Sequence, residues 1–320
     1  MAGSRKVVLA ALFANGAIAI LKFVGFLLTA SPSMLSETYH SISNTGNQVF
    51  LLVGIRYSGR EATRRHPFGY GKAQFFYSFV VAMLLFGIAG WESAKHGYTQ
   101  LTAHGDHDGG GGVDILGFSY EPVVGFDPVL VNYGVLLAAV VFETYAFTKA
   151  YAEMRRQMDE NDWATLREAF RKTSDVTTLT ALTEDTIALG GLVLALAGIF
   201  LSQRTGIEAF DAAAALLIGL MLMGFALALA WENKRLILGE SLPRDEEQRL
   251  REVVDGWAGV DRVVDLRSVY FGPEQVVVTA DVEFAPGLDG AELDERITAI
   301  KDALREADEG IQKVYVEPEV

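Results

Sequence analysis

Long blocks of apolar residues constrain the fold of this chain more than any other feature of its sequence. A helix needs about 20 mostly apolar residues to cross the ~30 Å hydrocarbon layer of a bilayer. Six stretches reach that length, and we predict that each forms a transmembrane helix. The first of them is too long for the apolar region of a signal peptide. The stretches are residues 7–30, 33–56, 74–97, 127–149, 177–201 and 208–231.

The basic residues indicate which ends of these helices lie in the cytoplasm. Cytoplasmic loops of membrane proteins carry an excess of Lys and Arg. Here such residues follow the second, fourth and sixth stretches, whereas residues 97–148 contain neither Lys nor Arg. The pattern predicts an integral protein of the bacterial plasma membrane with both termini in the cytoplasm.

The periodicity of the sequence changes after the sixth stretch. Two segments have the spacing of amphipathic helices, and three alternate between apolar and polar residues as strands do. The helical segments are residues 243–257 and 291–307, and the strand segments are residues 260–271, 275–284 and 311–316. We therefore predict a six-helix transmembrane domain at 1–236 and a cytoplasmic α+β domain at 237–320, in the order α-β-β-α-β.

Charge and composition narrow the range of functions. The net charge of −14 argues against a nucleic-acid partner, because contacts to phosphate need clustered Lys and Arg. The chain has no cysteine, so a metal site would have to use imidazole, carboxylate or amide ligands. Neither H-E-x-x-H nor G-x-S-x-G occurs in the sequence, and we do not expect an enzyme.

Polar residues within the second predicted span are candidates for function, because such residues are costly to bury in lipid. At about 3.6 residues per turn, five of them share one stripe of the helix. They are Glu37, His40, Ser41, Asn44 and Asn47. His40 and Asn44 are four residues apart, so their side chains stack one turn apart and can converge on one ion.

The fifth span carries Glu184 and Asp185 within an apolar run. Imidazole and carboxylate are usual ligands of borderline divalent metals, and we interpret His40 and Asp185 as a metal-binding pair. The alternative is that polar residues in the spans join the helices by hydrogen bonds. We expect hydrogen bonding of this kind for Asn15, Ser41 and Asn47, and interhelical or end-anchoring roles for Lys22, Glu143 and Asp211.

Several segments resemble those of the cation diffusion facilitator family. The similarity begins with ANGAIAILKFVGFLLTASPSMLSETYHSISNTGNQVFLLVGIRYS and the RRHPFGYGK loop that follows it. It continues through SDVTTLTALTEDTIALGGLVLALAG, GESLP and VYVEPE, and so covers essentially the whole chain. The resemblance implies a homodimer whose subunits each have six membrane helices and a cytoplasmic ferredoxin-like domain. It also implies exchange of a divalent metal ion for protons by alternating access, with the metal as substrate and no resident cofactor.

The family's transport site pairs two residues one turn apart on the second helix with two on the fifth. In this sequence the second-helix pair falls on His40 and Asn44, and the fifth-helix aspartate falls on Asp185. The position one turn before Asp185 is Ala181, so one ligand of the pattern is missing, and Asn44 is a neutral ligand. The candidates for the missing ligand are water, Glu184, which is nearest, and then Glu37 and Asn15.

These ligands narrow the choice of substrate and leave one competing function. Nitrogen and oxygen ligands without sulfur favour Zn²⁺, followed by Mn²⁺, Co²⁺ and Fe²⁺. We predict a proton-coupled zinc antiporter that works in efflux and has metal ions, protons, membrane lipid and a second copy of the chain as partners. The alternative is a metal-regulated membrane scaffold with impaired transport, because Ala181 removes a ligand.

Three further histidines lie outside the spans. His66 belongs to the loop that resembles the family's, where relatives use a further histidine to bind a second ion and this chain has Tyr70. We therefore expect a structural or gating role for His66. His104 and His107 precede a run of glycines, and we expect a flexible tether there rather than a metal-collecting loop.

Overall fold

The computed structural model describes residues 2–102, 113–115, 118–120, 128–160, 163–172, 176–273 and 275–319. These residues form two compact units. The first contains the chain up to Val49 together with Val81–Ala228, and the second contains Phe50–Val80 together with the chain from Leu229 onwards. The predicted division between residues 236 and 237 stays a prediction.

Seven helices cover the six apolar stretches, and two of them together cover the third stretch. They are α1 (Ala2–Thr29), α2 (Pro32–Ser58), α3 (Lys72–Leu84), α4 (Trp91–Thr102), α5 (Pro128–Glu160), α7 (Val176–Thr205) and α8 (Ala209–Leu238). A six-residue π-helical segment, Leu85–Gly90, joins α3 to α4, and the short α6 (Leu166–Lys172) lies between α5 and α7.

Four helices in the described part of the chain are long and apolar enough to cross a membrane. They are Lys72–Thr102, Val129–Glu160, Leu182–Thr205 and Ala209–Leu238. Within α1, the described residues also include a shorter apolar helical segment, Asn15–Thr29. The 27 residues of α2 include the polar residues discussed below, which lower its average hydropathy. Between α4 and α5, β1 (Val113–Ile115) and β2 (Phe118–Tyr120) form an antiparallel hairpin, while His104 and His107 lie outside the described residues.

The first compact unit, called the helical unit below, contains an apolar core. Helices α1, α2, α5, α7 and α8 all contribute to this core. Six of its large side chains are at most 1% exposed, so each is removed almost completely from its surroundings. They are Phe26, Met34, Leu136, Leu192, Ile218 and Leu222. Because these helices share one core, polar groups on their inner faces are enclosed between helices rather than exposed.

The turn between α1 and α2 is held by hydrogen bonds to its side chains. Ser31 Oγ accepts a hydrogen bond from Met34 N at 3.3 Å, as an N-cap residue does, and Pro32 occupies the first helical position, where its missing N–H costs nothing. The Asp211 carboxylate at the start of α8 accepts hydrogen bonds from Ser31 Oγ, at 2.8 Å, and from Ser33 Oγ. Asp211 is therefore an interhelical anchor, as predicted.

Close packing of α4 against α8 depends on glycines. A Cβ at Gly97 would lie 2.5 Å from Leu216 N. A Cβ at Gly219 would contact Ala94 N and lie 2.8 Å from Gly90 O. Since real Cβ atoms are not found so close to backbone, the two helices can approach this closely only with glycine at these positions.

We expect Gly219→Leu to destabilise the helical unit, because its side chain would have to push α4 away from α8. Overpacking a tight site lowers the free energy of unfolding by roughly 1–3 kcal/mol, and we expect a clash with backbone atoms to cause a loss near the larger value. The matched control is Gly224→Leu on the same helix, where a Cβ meets nothing within 4 Å. Thermal unfolding in detergent should show a lower Tm for the first variant only, and equal Tm values would contradict the close approach.

The C-terminal elements confirm the predicted α-β-β-α-β order. They are α9 (Arg244–Asp255), β3 (Val260–Gly272), β4 (Gln275–Phe284), α10 (Gly290–Ala307) and β5 (Ile311–Glu319). In this three-stranded sheet β3 pairs antiparallel with β4, and β4 pairs parallel with β5. The two helices and the sheet share a core that includes the fully buried Val254, Val278, Ile300 and Leu304. Asp289 caps α10 by accepting hydrogen bonds from the N–H groups of the first turn.

Candidate metal centre in the helical bundle

The first half of α2 is the most enclosed polar segment among the described residues. Residues 31–41 are all buried, although the segment contains serine, threonine, glutamate and histidine. Glu37 is 0% exposed and His40 is 2% exposed. Burying polar groups so far from solvent costs free energy. Each such group therefore needs a hydrogen-bonding or ionic partner, or a functional role.

The His40 imidazole has one satisfied and one free nitrogen. Its Nε2 lies 3.3 Å from Asn44 Nδ2, one helical turn away. Its Nδ1 is buried and has no hydrogen-bond partner among the described residues. The oxygen and nitrogen of an amide are assigned from the surrounding hydrogen bonds. With the Asn44 oxygen towards Nε2–H, the amide would fix the tautomer and leave the Nδ1 lone pair available to a metal ion.

Lys22 and Glu37 form an ion pair between α1 and α2. Lys22 Nζ lies 2.8 Å from Glu37 Oε2, and both side chains are 0% exposed. The other carboxylate oxygen, Glu37 Oε1, has no hydrogen-bond partner in the described structure. Gly191 of α7 leaves room for this oxygen, because a Cβ at that position would contact it.

This pairing confirms that Lys22 is an interhelical charge, but the sequence did not indicate its partner. Lys22 itself indicated that a partner should exist, because an ammonium inside an apolar run requires an anion at a similar depth in the membrane. Glu37 is the fully buried carboxylate on the neighbouring helix that meets that requirement.

Carboxyl groups from α5 and α7 gather beside this face of α2. The Glu184 carboxylate accepts a hydrogen bond from the Asn47 side chain and interacts electrostatically with Asp185 and Glu143. Glu143 also interacts electrostatically with the Lys22–Glu37 pair. Glu143 therefore links the Lys22–Glu37 pair electrostatically with Glu184 and Asp185, and a cation bound among these carboxyl groups would be stabilised by them.

Two contacts show the relative direction of α2 and α7. Asn47 meets Glu184, whereas Glu37, ten residues earlier on α2, meets Gly191, seven residues later on α7. The two helices are therefore antiparallel along this stretch, which is about 15 Å long on α2. His40 and Asn44 lie between the two contacts on α2, and Asp185 lies between them on α7.

The structure brings together some of the predicted site residues and not others. His40 contacts Asn44, and Glu184 contacts Asn47. Within the described residues, no group of three or more His, Asp or Glu side chains is close enough to hold a metal ion. The side chain of Ala181 lies outside the described part. Ligation by His40, Asn44, Asp185 and Glu184 therefore stays a prediction.

His66 lies outside this centre, in the second compact unit. It is exposed, and its ring centroid is 4.3 Å from that of Tyr70. The following residues pack on the β3–β4 turn: the rings of Phe68 and Phe271 are 4.8 Å apart, and Lys72 Nζ lies 4.9 Å from the Phe271 ring. The ring stacking is compatible with a structural role for His66, which stays a prediction.

Long apolar helices that enclose ionisable side chains are typical of integral membrane proteins, in which such side chains often mark the paths of ions and other polar substrates. Comparison with known families agrees with that class. Residues 8–238 match the cation efflux family over its transmembrane domain. The chain therefore belongs to the cation efflux family of metal-ion transporters, which confirms the resemblance that its sequence segments carry.

Individual relatives are distant. The chain is 27% identical over 284 residues to the mitochondrial proton-coupled zinc antiporter SLC30A9 of Xenopus laevis, an alignment that covers 89% of this chain and 47% of the relative. It is 24% identical to the cation-efflux pump FieF of Serratia proteamaculans, covering 85% of this chain and 79% of the pump. The chain thus spans about half the length of the zinc antiporter.

Among solved structures, a nickel form of the MamM CTD aligns with 24% of this chain and 98% of its own length. The sequence identity is 20% and the TM-score is 0.23.

Proposed function

We propose that this protein is a proton-coupled antiporter that exports a divalent transition metal, Zn²⁺ before Mn²⁺, Co²⁺ or Fe²⁺, by alternating access across six membrane helices. The observation that carries the proposal is the buried His40 imidazole, whose Nδ1 is free and whose Nε2 contacts Asn44. Imidazole with oxygen ligands suits Zn²⁺, whereas Ca²⁺ and Mg²⁺ prefer an all-oxygen shell. The zinc antiporter and the cation-efflux pump among the relatives support the same substrate class.

The proposed ligands are His40 and Asn44 on α2 with Asp185 and Glu184 on α7. The antiparallel course of the two helices supports this set, because His40, Asn44 and Asp185 lie between the two interhelical contacts and Glu184 makes one of them. The surplus of carboxyl groups around them would offset the charge of a dication. Small shifts of α7 along α2 would bring Asp185 to the ion or withdraw it, which is the kind of change that alternating access requires.

Proton coupling follows from the chemistry of the ligands. Imidazole and carboxylate must be deprotonated to bind a metal ion, so metal binding releases protons and protonation expels the metal. Asn44 has no proton to exchange. We therefore expect a lower ratio of protons to metal ions than at a site with four titratable ligands, because only His40, Asp185 and Glu184 of the proposed set can exchange a proton.

Flux measurements in proteoliposomes test this proposal. We expect a pH gradient to drive accumulation of Zn²⁺ against its concentration gradient, and an ionophore that dissipates the pH gradient to abolish it. Varying the size of the pH gradient gives the number of protons per ion from the gradient at which net flux stops. A ratio above three would contradict the role given to Asn44, and flux that does not depend on the pH gradient would contradict antiport.

A second candidate function is a metal-regulated scaffold with impaired transport. Ala181 favours it, because alanine at this position removes one ligand of the family's pattern. The same liposomes separate the two, because a scaffold would bind zinc without moving it across the bilayer.

The proposal includes a homodimer with both termini in the cytoplasm. The distribution of basic residues supports that orientation, since residues 97–148 contain no Lys or Arg.

A further inference from the structure

The strongest unexplained feature of the bundle is the second oxygen of Glu37. One oxygen of this carboxylate binds Lys22, and the other is fully buried without a hydrogen-bond partner in the described structure. Leaving a buried acceptor unpaired destabilises the folded state, and more so when the group is charged. Such a cost is expected where an atom is kept free for a ligand.

A purely structural role does not explain this arrangement. A buried ion pair is often no more stable than a pair of well-packed apolar side chains of similar volume. Lys22 and Glu37 could therefore both be apolar without loss of stability, in a membrane helix that favours apolar residues. The pair is better explained if the ammonium holds the carboxylate in one orientation.

The position of Glu37 relative to His40 on α2 also indicates a role in metal binding. Glu37-Thr38-Tyr39-His40 places a carboxylate three residues before an imidazole, so both lie on one face of the helix with Cβ atoms about 5–6 Å apart. In metal-binding helix bundles, a Glu-x-x-His pair at this spacing directs two ligands inwards. Zinc bonds of about 2.0–2.2 Å to each ligand could bridge the two side chains.

Two of the buried, unpartnered atoms on α2 belong to these two residues, and a third, Gln48 Oε1, lies eleven residues after Glu37. His40 Nδ1 and Glu37 Oε1 are buried and lack hydrogen-bond partners among the described residues. Glu37 Oε1 lies against α7 at Gly191, the helix that also carries Asp185. Glu184, in contrast, already accepts a hydrogen bond from Asn47.

We propose that Glu37 is a further ligand of the transported dication, binding it through Oε1, and that Lys22 is the positioning residue that orients Glu37 through Oε2. This proposal rests on the proposed transport function and adds a fifth side chain to the proposed ligand set. The room at Gly191 is part of the same arrangement, since a Cβ there would displace the free oxygen.

The test compares the zinc affinity of the detergent-solubilised full chain and its variants by competition with a chromophoric chelator. Lys22→Met combined with Glu37→Gln removes both charges together and keeps the side-chain volumes, so no lone charge is left buried. We expect this double variant to bind Zn²⁺ at least about 100-fold more weakly, because loss of a group that only orients a metal ligand already costs about 10–100-fold. The matched control is Arg156→Met with Glu153→Gln, which removes an exposed ion pair and should leave the affinity unchanged.

The outcomes separate this proposal from the proposed function. If the double variant binds zinc as tightly as the unaltered protein while His40→Ala does not, Glu37 is not a ligand and the transport site stands. If zinc affinity does not depend on His40, the transport site itself is refuted and this proposal with it. Should the double variant fail to fold, Glu37→Asp keeps the charge and draws Oε1 back by one methylene. An unchanged affinity in Glu37→Asp would then overturn the proposal, and a several-fold loss would support it.

Discussion

Replacing His40 with alanine should abolish zinc transport. The substitution removes a buried nitrogen ligand that no neighbouring side chain can replace, because the adjacent polar partner is the neutral Asn44. Loss of a group that only orients a metal ligand costs about 10–100-fold. Loss of the ligand itself should cost more, and we expect initial zinc flux to fall by at least about 100-fold.

The measurement is uptake of Zn²⁺ into proteoliposomes that contain a fluorescent indicator, at equal amounts of reconstituted protein. His96→Ala is the matched control, because it removes an imidazole from α4, outside the proposed ligand set, and should leave the flux close to that of the unaltered protein. Thermal unfolding of His40→Ala should show that the fold is retained. Normal flux in His40→Ala would place the transport path elsewhere.

Replacing Lys22 with methionine should cause the largest loss of stability of any single substitution considered for this chain. The ammonium and the Glu37 carboxylate are 2.8 Å apart, and both side chains are 0% exposed. Removing one partner leaves the other charge buried without compensation, which costs about 3–5 kcal/mol in proteins. Adding Glu37→Gln should recover most of that loss, because the remaining charge is then removed as well.

Unfolding in detergent, followed by circular dichroism, measures these differences in free energy. The control is Arg156→Met, which breaks an exposed pair with Glu153 and should have no measurable effect. If Lys22→Met were as stable as the unaltered protein, the ion pair would not be buried as described. If the double variant were no more stable than Lys22→Met, the lost packing of the lysine stem would be the cause instead.

Much of the fold was predictable because apolar blocks and strand alternation are local properties of a sequence. Each of the six apolar stretches corresponds to a long helix, and the C-terminal element order was predicted correctly. The helix ends were less accurate: α5 continues to Glu160, eleven residues beyond the predicted end at 149, because the polar residues after the membrane remain helical. The π-helical segment Leu85–Gly90 was not predicted, since nothing in an apolar run distinguishes it from an α-helix.

The candidate site was predictable in its composition but not in its pairing. Helical spacing identified the stripe from Glu37 to Asn47, because spacing within one helix is set by its geometry. Contacts between helices depend on relative depth and rotation, which one sequence does not contain. The Lys22–Glu37 pair, the contact of Glu184 with Asn47 and the space at Gly191 therefore emerged only from the structure.

The most direct test is an anomalous difference map at the zinc edge from crystals of the zinc-loaded protein. We predict one peak between α2 and α7, about 2.0–2.2 Å from an imidazole nitrogen of His40 and a carboxylate oxygen of Asp185. Glu37 should be within the same distance if it is a ligand as proposed. A zinc-loaded structure in which His40 and Asp185 face different neighbours, with the ion bound elsewhere, would contradict the account.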